Sequence, residues 1–167
     1  MRRRDDTLRR VYREHVQAVY AFFAYAVSGP TAEDLTSATF EKVIRAWDRY
    51  DAAKAGERTW ILAIARNTLN DHYRRRRFRD AVSTDEHPAL LDALAGDDAH
   101  ERALDRAEVA GWLEGLSPRE QEILALRYGA DLTAADIAAL TGLSAANVHQ
   151  ILSRSLRRVR ARAQASA

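Results

Sequence analysis

The chain has 167 residues, of which 47% are hydrophobic and 30% charged, a composition that excludes a disordered chain and indicates a globular protein. It has no cysteine, which excludes disulfides, zinc fingers and thiol catalysis and fits a reducing compartment. The net charge of +2 conceals segregation, with 17 basic and 10 acidic residues over 1–79 but 2 basic and 8 acidic residues over 80–106.

Helix-forming residues dominate, with only 7 glycines and 3 prolines, so the sequence predicts an all-α fold. No apolar run is long enough to span a membrane, and the charged residues after the arginines at 2–4 argue against a secretory signal. We therefore expect a cytoplasmic protein that does not contact a membrane. Its basic segments are consistent either with solvated helix faces or with a polyanionic partner.

Three helices are predicted in the first domain. Apolar residues recur every three or four positions over 7–27, and a Ser-Gly-Pro sequence ends this helix. Thr31 and Asp34 have the spacing of a capping box, which predicts the start of the second helix. The third helix is expected after a loop over 50–56 and continues into four consecutive arginines at 74–77.

The composition changes after this arginine run. Positions 80–101 carry seven acidic residues, no lysine or arginine, and only weak hydrophobic periodicity. This pattern predicts a flexible acidic linker over 80–106, which joins two small helical domains at 1–79 and 107–167.

The second domain contains the sharpest local pattern, a helix-turn-helix. A serine–proline pair at 117–118 predicts the N-terminus of a helix that continues to Gly129. Thr133 and Asp136 form a second predicted capping box, and Gly142 supplies the turn between the last two helices.

The last helix, with Ser144 as its predicted N-cap, presents polar and basic side chains. In such motifs the N-terminal residues of the second helix read base edges in the major groove, and basic residues contact phosphates. The predicted DNA-contacting residues are Ser144, Ala145, Ala146, Asn147, His149, Gln150, Ser153, Arg154, Arg157 and Arg158. An ordinary helical hairpin is the alternative, but the caps, the turn glycine and the acid-free arginine tail together favour DNA binding.

Three patterns in order give the sequence a family resemblance along nearly its whole length. They are the Ala-Glu-Asp-Leu sequence at 32–35, the segment at 60–77, and the Leu-Ser-Pro-Arg-Glu sequence at 116–120 with the helix-turn-helix after it. In order and spacing the chain resembles an extracytoplasmic-function (ECF) sigma factor, the smallest type in the family of the bacterial housekeeping sigma factor.

The resemblance implies a docking surface, two DNA-reading surfaces and their partners. The second helix would dock on a coiled coil of the largest polymerase subunit through Glu33, Asp34, Ser37, Phe40 and Glu41. The third helix would capture a flipped base of the -10 element and hold the strand through Arg66, Asn67, Asn70, Asp71, Arg74, Arg75, Arg76 and Arg77. The second domain would read the -35 element as duplex. Core RNA polymerase, promoter DNA and an anti-sigma factor are the implied partners, with no cofactor and no metal.

Two departures from the family pattern bear on these surfaces. Ser37 and Ala38 stand where the family usually has Gln and Glu, which removes polar contacts from the docking helix. A His-Gln-Ile sequence at 149–151 stands where the recognition helix usually has a basic-rich run, so the -35 sequence is not predicted. Asn67 is compatible with base reading or with helix capping, and Trp47 and Trp60 are compatible with core positions or with DNA wedges.

Two other function classes are weighed against this one. A helix-turn-helix regulator of the response-regulator type would match the second domain, but the segment at 60–77 has no place in it. A metal-dependent nuclease is disfavoured because the five histidines lack helical ligand spacing and no phosphate-binding glycine loop is present. No catalytic residue is therefore predicted.

Overall fold

The computed structural model describes residues 2–27, 29–82, 111–113 and 115–165, so most of the predicted linker lies outside it. The described part contains only helices, turns and loops, which confirms the all-α prediction. The helices are α1 (Arg2–Ala24), α2 (Gly29–Ala46), α3 (Glu57–Val82), α4 (Pro118–Leu124), α5 (Ala134–Thr141) and α6 (Ala145–Ala165). None of these helices combines the length and the apolar character that crossing a membrane requires.

The first three helices pack around a buried apolar core. Phe22 and Phe23 of α1, Val43 of α2, and Ile61 and Leu62 of α3 are almost completely buried. All of these residues except Leu62 lie on the inward stripe that the three- and four-residue spacing predicts.

The junction between α1 and α2 differs from the prediction. Helix α1 ends at Ala24, and α2 begins at Gly29, so Thr31 lies inside the first turn and does not cap it. Pro30 falls in this first turn. The first N–H groups of a helix have no intrahelical partner, so the lack of an N–H costs nothing there, and the fixed φ of proline suits a helix. The predicted cap was wrong because a proline at a helix start displaces the boundary toward the N-terminus.

The local signals of the second domain are confirmed. The Ser117 hydroxyl accepts from the Glu120 N–H at 3.3 Å, and the Thr133 hydroxyl accepts from the Asp136 N–H at 3.1 Å. Both capping boxes are complete, because each acidic side chain also accepts from the backbone N–H of its cap residue. Gly142 ends α5 in the left-handed region with φ 74°, as the helix-turn-helix requires.

The helix that starts at Pro118 does not remain α-helical as far as Gly129. It widens into a π turn over Ala125–Gly129, in which the Ala130 N–H donates to the Ala125 carbonyl at 2.9 Å. A Cβ atom on Gly129 would lie 2.9 Å from the carbonyl oxygen of Ala21 in α1. The close approach of two backbones therefore requires glycine at this position.

The two domains pack against each other through α1 and this π turn, and a single apolar core extends across both. An ion pair joins them, since the Arg66 Nε donates to Glu122 Oε1 at 2.5 Å. Arg66 also donates to the Leu140 carbonyl at 3.2 Å. A second, more exposed pair links Arg58 to Asp131 at 3.7 Å.

Candidate nucleic-acid interface

Four polar residues share the outward face of α2. Glu33, Asp34, Ser37 and Glu41 are all exposed. Phe40, by contrast, is only 5% exposed and meets the ring of Tyr12 edge-on, with 4.8 Å between ring centroids. The structure therefore places Phe40 in the core, where it holds α1 against α2 and does not belong to the exposed face.

The exposed face of α3 begins at Asn67. This side chain is exposed and has no hydrogen-bond partner among the described residues, so its amide is free to contact a ligand. Asn70 is also exposed, as are the four consecutive arginines at 74–77. The face therefore offers two exposed amides near its start and a concentrated positive charge toward its end.

Asp71 organises the middle of this face. It accepts from Lys42 of α2 at 3.4 Å and pairs with Arg74 one turn further along α3. Hydrogen bonds from Arg74 first, and from Lys42, lower the pKa of the Asp71 carboxyl. Because this carboxylate stays charged and engaged, its role here is to orient two cations.

Arg66 is turned away from the exposed face. Its side chain is 22% exposed and pairs with Glu122, which is 13% exposed. Asn70, with arginines from both domains, lines a cleft of about 590 Å³ between α3 and α4. While the two domains are packed together, Arg66 is therefore not available to contact a DNA strand. Glu122 was not predicted from the sequence, because no local pattern links residues 56 positions apart.

The N-terminal half of α6 is presented to solvent. Val148 and Leu152 are buried against α5 and α4, which fixes the orientation of the helix. The Ser144 hydroxyl accepts from the Asn147 N–H at 3.1 Å and caps the helix as predicted. The exposed residues are Ser144, Ala145, Ala146, Asn147, His149, Gln150, Ser153, Arg154, Arg157 and Arg158.

Two of the arginines predicted to meet phosphates, Arg157 and Arg158, differ in their surroundings. Arg157 donates only to the backbone carbonyl oxygen of Ser153, at 3.4 Å, so it stays available to contact a phosphate. Arg158 turns back to Glu120 at 3.0 Å and also donates to the Gly115 carbonyl. The Ser117 backbone N–H is the main cause that lowers the pKa of the Glu120 carboxyl. Glu120 thus caps the N-terminus of α4 and also holds Arg158 of α6.

Two further clusters bear on the predicted roles of aromatic and metal-ligating residues. Trp47, Tyr50 and Trp60 form a partly buried ring cluster with centroids 5.1 to 5.9 Å apart, which favours the core interpretation of the tryptophans. Glu14, His15 and Glu57 bring potential metal ligands together. Arg10 donates to both oxygens of Glu57, at 2.7 and 3.1 Å, so a guanidinium already balances the charge of this carboxylate.

Family models match both halves of the chain. The model for Sigma-70 region 2 matches residues 11–79, and the model for Sigma-70, region 4 matches residues 112–161. The first match contains the α2 and α3 faces, and the second contains the whole helix-turn-helix. The segment at 60–77, which a response-regulator activator does not explain, thus lies inside a sigma-70 region.

Several curated relatives are similar over most of the chain. ECF RNA polymerase sigma factor SigC of Mycobacterium tuberculosis is 34% identical over 140 residues, covering 83% of this chain and 74% of SigC. ECF RNA polymerase sigma factor BldN of Streptomyces coelicolor is 31% identical over 157 residues, covering 91% of this chain. The chain spans only 58% of the length of BldN.

Two solved structures share the fold. CnrH, in complex with the cytosolic domain of CnrY, matches with a TM-score of 0.71 at 20% identity, covering 98% of this chain and 91% of CnrH. The sigma factor RpoE of Bartonella quintana, in complex with the anti-sigma factor NepR, matches with a TM-score of 0.68 at 22% identity, covering 90% and 92%. With both sigma-70 regions present in order and relatives such as SigC matched over most of their length, the chain belongs to the ECF sigma factors of the sigma-70 family.

Proposed function

We propose that this protein is a specificity subunit that binds core RNA polymerase and directs transcription initiation at promoters with matching -10 and -35 elements. The observation that carries the proposal is the order of the two sigma-70 regions, each with a helix that exposes polar and basic side chains, α3 in the first and α6 in the second. We further propose the division into a first domain at 1–79, a linker at 80–106 and a second domain at 107–167.

The chemistry of α3 suits capture of an unpaired strand. A base that leaves the stack loses pairing and stacking, so its binding site must supply hydrogen bonds to the exposed base edge. The free amide of Asn67 offers both a donor and an acceptor for that purpose. The arginines at 74–77 then supply positive charge for the phosphates that follow.

The chemistry of α6 suits an intact groove. Its capped N-terminus and its exposed small and polar residues allow the helix to enter the major groove closely, as recognition helices do. Contact with two separate promoter elements requires the two packed domains to part. Release of Arg66 from Glu122 would then add a further cation to the α3 face.

The acidic face of α2 suits a basic partner surface. We propose that Glu33, Asp34, Ser37 and Glu41 contact the polymerase, whereas the buried Phe40 supports them from behind. An anti-sigma factor is proposed as a regulatory partner. The protein is proposed to act in the cytoplasm and to have no catalytic activity of its own.

Run-off transcription with core polymerase tests the function directly. Mixed with polymerase that lacks its own specificity subunit, the protein should co-elute in gel filtration and start transcripts at defined genomic positions. Absence of both association and defined start sites would refute the proposed function.

Charge reversal tests the docking face. The double substitution Glu33→Lys with Asp34→Lys should weaken binding to core polymerase and leave the thermal unfolding midpoint unchanged, because both side chains are exposed. The matched control is Asp5→Lys with Asp6→Lys, an exposed acidic pair on α1. If the two double variants bind core polymerase with equal affinity, the exposed face of α2 is not part of the interface.

A further inference from the structure

One large aromatic side chain lies in solvent at the end of the α3 face. Phe78 is 72% exposed, the most exposed of the large hydrophobic residues in the described part of the chain. It sits between Arg77 and Arg79, and the sequence prediction gave it no role.

Phe78 shares a helix face with Asn67 and Arg74. The three residues are seven and four positions apart, which is two turns and then one turn of an α-helix. At a rise of about 1.5 Å per residue, Phe78 lies roughly 16 Å from Asn67 along the axis of α3. The ring therefore extends the same stripe that begins with the free amide.

The charge around Phe78 favours a polyanion. Arg75, Arg77 and Arg79 have no acidic partner within the described residues. Burial first, and then Arg76, Arg79 and Arg75, lower the pKa of the His72 imidazole on the same helix. Positive potential is thus concentrated around the ring.

The ring also forms one wall of an open groove between α2 and α3. The whole groove has a volume of about 700 Å³, and its apolar lining consists of Leu35, Ala38 and Phe78. Each of its two acidic residues has a cation beside it, since Glu41 of the proposed docking face lies 3.5 Å from Arg45 and Asp71 pairs with Lys42. The rim therefore carries a surplus of positive charge.

We propose that Phe78 is a stacking platform for an unpaired nucleobase of the same strand that Asn67 contacts. A single strand presents a flat π face and a phosphate at every nucleotide, which matches a ring with arginines on both sides. An aliphatic side chain of a protein partner would fill the groove but would leave these arginines without counter-charges. This inference rests on the proposed function of α3.

The test uses the full chain and single-stranded DNA that carries 2-aminopurine at successive positions. Phe78→Leu keeps the apolar volume but removes the π face, so it should lower the affinity at least about fivefold. It should also abolish the fluorescence quenching at one base position, whereas Phe78→Trp should retain both. Tyr12→Leu is the matched control, because Tyr12 is a 49% exposed aromatic residue that does not line the groove beside Phe78.

Three outcomes would overturn the inference. They are unchanged affinity and quenching for Phe78→Leu, an equal loss on the corresponding duplex, or a loss confined to core polymerase binding. Asn67→Ala and Arg74→Gln are measured in parallel to separate this inference from the proposed function. If they weaken strand binding while Phe78→Leu does not, only the stacking role fails; if none of the three does, the proposed role of α3 fails as well.

Discussion

Neutralising Glu122 should separate the two domains. In Glu122→Gln the side chain keeps its size but loses the charge that pairs with Arg66, whose guanidinium is only 22% exposed. Arg66 would retain its hydrogen bond to the Leu140 carbonyl. The substitution therefore removes the main electrostatic contact between α3 and α4 without creating a cavity.

The expected magnitude follows from the burial of the pair. Two unit charges 4 Å apart attract by about 4 kcal/mol at an effective dielectric constant of about 20, and the cost of desolvating them offsets part of this. A net loss of about 1–2 kcal/mol is expected, which lowers the ratio of packed to separated molecules roughly 5- to 30-fold. The apolar contact between α1 and the π turn would remain.

Single-molecule energy transfer measures this ratio. The chain has no cysteine, so Lys54→Cys and Gln164→Cys place one dye on each domain at exposed positions. Asp131→Asn is the matched control across the same boundary, because the Arg58–Asp131 pair is exposed and worth only about 0–1 kcal/mol. Asparagine also tolerates the positive φ of 54° at this position. Indistinguishable populations for Glu122→Gln and the wild type would refute the assigned role of the buried pair.

Three further substitutions test the fold. Gly129→Ala should shift the same energy-transfer distribution toward separated domains, because its Cβ would meet the α1 backbone at 2.9 Å; an unchanged distribution would contradict that approach. Gly142→Ala should lower the unfolding midpoint by about 2–8 °C, since its φ of 74° costs a side chain about 1–2 kcal/mol; no change in calorimetry would argue against a left-handed turn. The pKa of Glu57 is lowered from 4.5, chiefly by Arg10, so its contribution to folding exists above the unfolded-state pKa and is lost as the pH falls through the folded-state pKa. In urea titrations Glu57→Gln should thus be less stable than the wild type at neutral pH, and the gap should close in acid; a constant gap would exclude this linkage.

Local signals were predictable because their physics is local. A capping box joins residues three positions apart, so the Ser117 and Thr133 boxes follow directly from the sequence. The turn at Gly142 follows for a similar reason, because a positive φ strongly favours glycine. The same local reasoning failed at Thr31, where a proline in the first helical turn moved the boundary.

Side-chain exposure was less predictable than helix position. Phe40 was assigned to the polymerase-docking surface of the second helix, although it lies in the core against Tyr12. Periodicity identifies a stripe but not its exact edges, because the neighbouring helix decides which borderline residues it covers. Phe78 shows the converse, an apolar residue that no described helix covers.

The sequence by itself determined the helices, the helix-turn-helix and the family, since these depend on hydrophobic spacing, caps and motif order along the chain. The tertiary structure decided which charged groups meet: Arg66 with Glu122, and Arg158 with Glu120. These partners are 56 and 38 positions apart, and no periodic pattern encodes their distance. Only the packing of complete helices decides which of these charged side chains come into contact. It therefore also decides which arginines remain available to a nucleic acid.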